Sequence, residues 1–202
     1  MLVTNIRQQV KRNNRYSIYI DEKYSFSLSE NGLLASGIHV GVALSKQQLD
    51  ALKDASKKDK AYNQALNQIA RRLRSEWEVR DYLRRKDYEP TMVDEIIERL
   101  QKARLLDDAV FARAWVENRR LLKSTSKRRL VAELRQKRVS DEIIEQTLAA
   151  DETDEQTVLR EMIQKKRRQS RYQDEQKLMA YLVRQGFQYG DIKNVLAEIS
   201  QE

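Results

Sequence analysis

The chain has 202 residues, of which 40% are apolar and 35% charged, with a net charge of +8 and an isoelectric point near 9.6. One proline and five glycines argue against a turn-rich β architecture and for long, weakly interrupted helices. The lack of cysteine excludes disulfides and thiolate metal sites, and it fits a reducing compartment.

Residues 1–44 differ from the rest. "MLVTNIRQQVKRNNRY" carries charges with no apolar run behind them, so no signal peptide is expected. "YSIYI", "DEK" and "YSFSLS" alternate apolar and polar around a short polar turn, the pattern of a β-hairpin, with an earlier strand expected around Ile6–Lys11. The run "LLASGIHVGVAL" is about half a membrane span and is broken by Ser36 and His39, so no membrane partner is expected. Ser45 then reads as an N-cap ahead of the helix "KQQLDALKDASKK".

From there the period is helical, and a repeat emerges. Val79, Leu83, Tyr88, Val93 and Ile97 are spaced by 4, 5, 5 and 4 residues; Leu130, Leu134, Val139, Ile144 and Leu148 follow the same steps, as do Leu178, Leu182, Phe187, Ile192 and Leu196. At the chain's apolar content, fifteen apolar residues in fifteen such positions arise by chance roughly once in a million trials at a given register. Ser75, Ser126 and Asp174 each stand four residues before the first apolar position, where an N-cap belongs, and Ser75 with Glu78 forms a capping box. Pro90 suits the first position of a third helix, and Ser140 caps its counterpart. The upstream helices are "AYNQALNQIARRL", "DDAVFARAWVENRRLL" and "EQTVLREMIQKKRR". The expected fold is mainly α: tandem three-helix, helix-turn-helix-like repeats behind a small N-terminal β-hairpin unit. The expected divisions are 1–44 for the β unit, 45–104 for a linker helix and the first repeat, 105–151 for the second and 152–202 for the third. Trp77 and Tyr82 are expected in a core or between modules rather than as base-stacking platforms.

The positive charge is concentrated. Residues 119–138 hold nine Lys/Arg against Glu133 alone, so this window accounts for the whole net charge. A charge run is as often a solvated helix face as a binding surface.

"LRSEWEVRDYLRRKDY" (73–88) followed by "ARLLDDAVFARAWV" (103–116) resembles the regulatory protein RecX family, which pairs these two blocks in this order. The resemblance covers about residues 60–200. It implies tandem three-helix repeats in a bacterial cytoplasmic protein of DNA repair, recombination and the SOS response. It also implies binding to the RecA recombinase filament, with the single-stranded DNA inside it, to restrain recombination. Arg74, Ser75, Glu76, Glu78, Leu83, Leu106, Asp107, Asp108 and Phe111 are then framework residues of the motif. The family commonly has glycine after the lysine ending the second helix. Here Asp87, Arg138 and Gly186 stand at that position, and because arginine disfavours left-handed backbone, another geometry is expected in the second repeat.

Catalysis finds little support. His39 is the only histidine, there is no cysteine, and no phosphate loop is present, so no catalytic, cofactor or metal site is expected. Asp107 and Asp108 point apart on a helix and are better read as capping residues than as metal ligands. Sequence-specific helix-turn-helix reading is disfavoured as well. The third helices begin "PTMVDEII", "SDEIIEQT" and "YGDIKNV", acidic or neutral where a recognition helix needs cationic or amide side chains. The expected contact residues are Arg80, Arg84 and Arg85 in the first repeat and Arg119, Arg120, Lys123, Lys127, Arg128, Arg135 and Lys137 in the second. The leading reading is a monomeric, non-enzymatic regulator of the RecA filament; the alternative is an autonomous, non-sequence-specific DNA-binding repeat protein.

Overall fold

The computed structural model describes residues 1–10 and 12–199. The chain packs as two compact units. The first comprises Met1–Leu73 with Val79–Leu105, the second Arg74–Glu78 with Leu106–Glu202.

In the first unit, β1 (Val3–Gln9), β2 (Arg12–Ile20) and β3 (Lys23–Ser29) form an antiparallel sheet in the order β1-β2-β3. The first strand begins at Val3 rather than Ile6, and Lys11 lies outside the described residues. Alternation works as expected: Ile18, Ile20, Phe26 and Leu28 are buried with Val3, Leu44 and Leu49. The β2–β3 turn is Asp21-Glu22, both with positive φ (47° and 66°), the sense of twist that a two-residue hairpin needs. No glycine eases it. Asp21 Oδ1 accepts from the Leu2 amide at 2.8 Å and the Glu22 amide donates to Thr4 Oγ1 at 2.9 Å, so β1 holds the turn in place.

Two features of this unit depart from the expectation. "LLASG" is the end of a helix, α1 (Glu30–Ser36), capped by Ser29 and closed by Gly37 at φ 64°. The linker helix and the first repeat's opening helix are one continuous element, α2 (Lys46–Ile69). Neither Gly nor Pro interrupts residues 46–69, so nothing stops propagation once the Ser45/Gln48 capping box starts it. Asp59, a mid-helix residue able to end a helix locally, faces the sheet instead. It pairs with buried Arg15 at 3.2 Å and accepts from the Ser29 amide at 2.9 Å.

The remaining helices follow the repeat: α3 (Glu76–Arg84), α4 (Pro90–Lys102), α5 (Asp108–Leu122), α6 (Lys127–Gln136), α7 (Asp141–Ala149), α8 (Glu155–Arg167), α9 (Glu175–Arg184) and α10 (Tyr189–Ile199), with a 3-10 turn at Ser170–Tyr172. The end of the expected third repeat, 200–202, lies outside the described residues. The predicted caps are made: Ser126, Ser140 and Asp174 accept from the third amide of their helices, and Asp107 caps α5. Ser75 and Glu78 exchange both capping-box bonds, at 3.3 and 3.4 Å. Of the fifteen periodic positions, all but Tyr88 and Leu148 are fully buried, and those two are half-buried. Phe111, Ala112, Val116, Leu130, Leu134, Val139 and Ile144 form one core; ten residues from Val158 to Leu196 form the next.

The expectation of a different link in the second repeat is corrected. Asp87 (φ 59°), Arg138 (φ 57°) and Gly186 (φ 96°) all adopt left-handed backbone. The hydrogen bonds agree: Asp87 and Tyr88 donate to Arg84 and Leu83, Arg138 and Val139 to Arg135 and Leu134, Gly186 and Phe187 to Val183 and Leu182. This is the Schellman closure, and it repeats because burying the next apolar residue requires the turn whatever side chain sits there. Arg104 (φ 55°) closes α4 the same way.

Candidate functional site

The basic window lies in the second unit, on α5, α6 and the loop joining them. Its one carboxylate, Glu133, is a hub. Glu133 Oε2 accepts from Arg119 Nε at 2.6 Å and Trp115 Nε1 at 2.9 Å, while Oε1 accepts from Arg129 at 3.4 Å. Arg119 also lies 4.4 Å from the centre of the Trp115 ring, and Lys137 5.4 Å. Burial pushes the Glu133 carboxyl up, but the hydrogen bonds from Arg119 and Trp115 and the charge of Arg119 outweigh it, holding the group below its usual range.

Arg120, one of the expected contact residues, is held inside the fold. Its side chain is only 9% exposed, and its guanidinium donates to Asp151 Oδ2 at 2.7 and 3.0 Å, with Glu155 at 3.6 Å. A second donation, to the Thr125 carbonyl, ties the end of α5 to the residues before α6. Burial raises the Asp151 carboxyl, yet the Thr153 hydroxyl and Arg120 hold it below the ordinary value. Arg119 and Lys137 are likewise committed within the fold. Lys137 Nζ donates to Glu78 Oε1 at 2.7 Å, and Glu78 is only 9% exposed. Arg80 pairs with Asp94.

The other candidates face solvent. Lys123, Lys127 and Arg128 are exposed, and among the described residues their side chains enter no ion pair. Arg135 pairs with Asp141 at 2.7 Å, but both side chains are more than 60% exposed, so this pair competes weakly with a partner. Exposed Arg84 and Arg85 flank half-buried Asp81 at 3.8 and 2.8 Å, leaving the triplet cationic. His39 is exposed, with its ring Nδ1 3.1 Å from the carbonyl oxygen of neighbouring Val40.

The motif residues hold helix starts. Asp107 accepts from the Ala109 and Val110 amides at 2.8 and 3.0 Å. Asp108 does not cap its own helix; its Oδ1 accepts from the Glu76 amide at the start of α3 at 2.7 Å. Burial, with the Glu76, Asp107 and Glu78 charges adding, pushes the Asp108 carboxyl up against the pull of that amide. Ser126 Oγ plays two parts, capping α6 and donating to the Gln185 carbonyl at 2.6 Å.

Sequence reasoning missed Lys165 and Lys166 at the end of α8, which the fold brings to the same cavity as Lys123 and Arg129. The signal was present as "QKKRRQSR" (164–171), but acidic residues elsewhere cancel it in the charge balance.

Four family models match in chain order: the regulatory protein RecX N-terminal domain over 1–45, and the first, second and third RecX three-helix domains over 61–100, 107–148 and 153–196. A regulatory protein RecX of Listeria monocytogenes serotype 4a (strain HCC23) is 31% identical over 209 aligned residues, covering 100% of this chain and 77% of that protein. The RecX of Halalkalibacterium halodurans is 34% identical over 77% of this chain, and that of Listeria innocua 37% over 73%; the chain spans only 60% and 55% of their lengths. A crystal structure of regulatory protein RecX superposes with a TM-score of 0.72 at 25% identity, over 96% of this chain and 98% of that one. That of RecX from Lactobacillus salivarius gives 0.63 at 26% identity, over 73% of this chain and 99% of that one. With the β unit and all three helical modules matched in order, the chain belongs to the regulatory protein RecX family.

Proposed function

We propose that this protein, with no chemistry of its own, binds the RecA recombinase filament on single-stranded DNA and slows its ATP hydrolysis and strand exchange. Family membership across the β unit and three tandem modules is the observation that carries this reading. The exposed cations of the second module agree with a polyanionic or acidic partner, and tandem modules suit a polymer, since several weak contacts on one chain multiply into avidity. The working division is a β unit at 1–44 and modules at 45–104, 105–151 and 152–202, acting as a cytoplasmic monomer. Among the described residues no helix is long and apolar enough to cross a membrane.

The test is RecA ATPase on single-stranded DNA with and without this chain, alongside strand exchange. Inhibition at or below equimolar amounts is expected. Unchanged ATPase and strand exchange, together with tight binding to bare DNA in the same salt, would replace the regulator with the autonomous DNA binder that Lys123, Lys127 and Arg128 also suit.

A further inference from the structure

We propose that a basic pocket of the second unit, formed by α6, α8, α9 and the loop before α6, is a phosphate-binding site, filled by the backbone of single-stranded nucleic acid. The cavity is about 290 Å³, near the small end of ligand pockets, which run from roughly 300 to 1,000 Å³. Lys123, Arg129, Lys165 and Lys166 line it against one carboxylate, Glu133. That carboxylate is already engaged on both oxygens by Arg119, Trp115 and Arg129. Lys123, Lys165 and Lys166 therefore converge with no carboxylate partner among the described residues, an arrangement whose mutual repulsion an incoming anion relieves.

Two of the cations are pre-positioned. Arg129 donates to Gln185 Oε1 at 2.6 Å and to Glu133, which fixes its plane while leaving further N–H groups for a ligand. The Lys166 ammonium sits 4.7 Å from the Tyr181 ring centre and 5.4 Å from that of Tyr172, and those rings pack at 5.0 Å. A carboxylate ligand is best met by a single Arg fork; here that fork is partly spent on Glu133. Three lysines lining the same cavity as this fork suit an anion with oxygens in several directions, which is phosphate.

This goes beyond the recombinase reading, because the pocket can be filled with no recombinase present. The test uses the whole chain and fluorescein-labelled oligothymidylate, followed by anisotropy over a range of salt. Lys165→Glu with Lys166→Glu should weaken binding at least tenfold and reduce the slope of log affinity against log salt by about 1.4, the share of two phosphate contacts on a single strand. Lys123→Glu with Lys165→Glu, both on exposed side chains, repeats the test without touching the tyrosines. Lys57→Glu with Lys58→Glu on α2 is the control and should change affinity less than twofold. Titration with inorganic phosphate, read by amide NMR shifts at Arg129 and Lys165, separates the two sources. Shifts there with unchanged oligonucleotide affinity in the variants keep the phosphate site but assign it to a free anion. Competition by polyglutamate as strong as by phosphate would overturn the proposal in favour of an acidic protein segment. Control and pocket variants losing equally, or no phosphate-induced shift and no loss, would also overturn it, whatever the RecA assay returns.

Discussion

Arg138 holds a left-handed backbone conformation that a side chain with a Cβ disfavours by about 1–2 kcal/mol, whereas glycine carries no such penalty. Arg138→Gly should therefore raise stability by about 1 kcal/mol, read as an increase in the urea midpoint. The reverse change at the equivalent position is worse than strain alone. A Cβ on Gly186 would lie 2.6 Å from Ser126 Oγ, the atom that caps α6 and bonds Gln185, so Gly186→Ala should destabilise by more than Arg138→Gly stabilises. Arg120→Ala leaves Asp151 buried without its cation and should cost about 3–5 kcal/mol. The same carboxylates set the pH response. Asp151 and Glu133 titrate below their ordinary values in the folded state, so they stabilise above the unfolded carboxylate range, about pH 4, and that stabilisation is lost as pH falls through their folded values. Asp151→Asn should flatten this acid loss in urea midpoints measured from pH 7 to pH 3. Asp108 has the opposite sign: its raised value means stability falls as pH rises toward that value. Asp108→Asn, which keeps an acceptor for the Glu76 amide, should flatten that branch.

At the scale of elements, Leu83, Leu134 and Leu182 are fully buried and occupy the same register in successive modules. Each change to alanine should cost about 2–5 kcal/mol by calorimetry or denaturant titration. A small cost at any one of them would mean that its module tolerates the cavity by collapse. Helix α2 carries a different prediction. Its continuity joins what the repeat pattern separates, so Lys57→Pro, mid-helix and exposed, should cost about 3 kcal/mol or more and lower helical circular dichroism. Were α2 two helices with a joint near residue 57, the same change would be nearly silent.

For the whole molecule, net charge and its placement must be told apart. Reversing Lys127, Arg128 and Arg135 to Glu should strongly weaken the proposed binding to the RecA filament while leaving melting nearly unchanged, since none of the three is buried. Reversing Lys57, Lys58 and Lys60 on α2 removes the same charge from another surface and should change binding little. Equal losses would mean that only net charge matters. Arg119, Arg120 and Lys137 are unsuitable for such a test, because their reversal breaks interior pairs and would be read as lost binding when it is lost fold.

Fold class, repeat register and most caps were determined by the sequence alone, and for one reason: they rest on local rules; the family was legible through the resemblance of residues 73–88 and 103–116. A 4-5-5-4 apolar spacing places residues on one face of successive helices, and a serine three positions before a glutamate satisfies amides in its own turn. Helix α1, the fusion of α2 and the Arg15–Asp59 pair were decided by packing between residues distant in sequence. The same holds for the left-handed Arg138, whose conformation follows from the need to bury Val139 rather than from its own preference. Among the basic residues the division is sharpest. Arg119 and Arg120 read identically to Lys127 and Arg128 in the chain; only the position of Glu133 and Asp151 in three dimensions makes the first two framework and leaves the others exposed. Lys165 and Lys166 meet Lys123 and Arg129 only once α8 packs beside the start of α6, because convergence of charge is a property of distances in space that linear spacing does not encode.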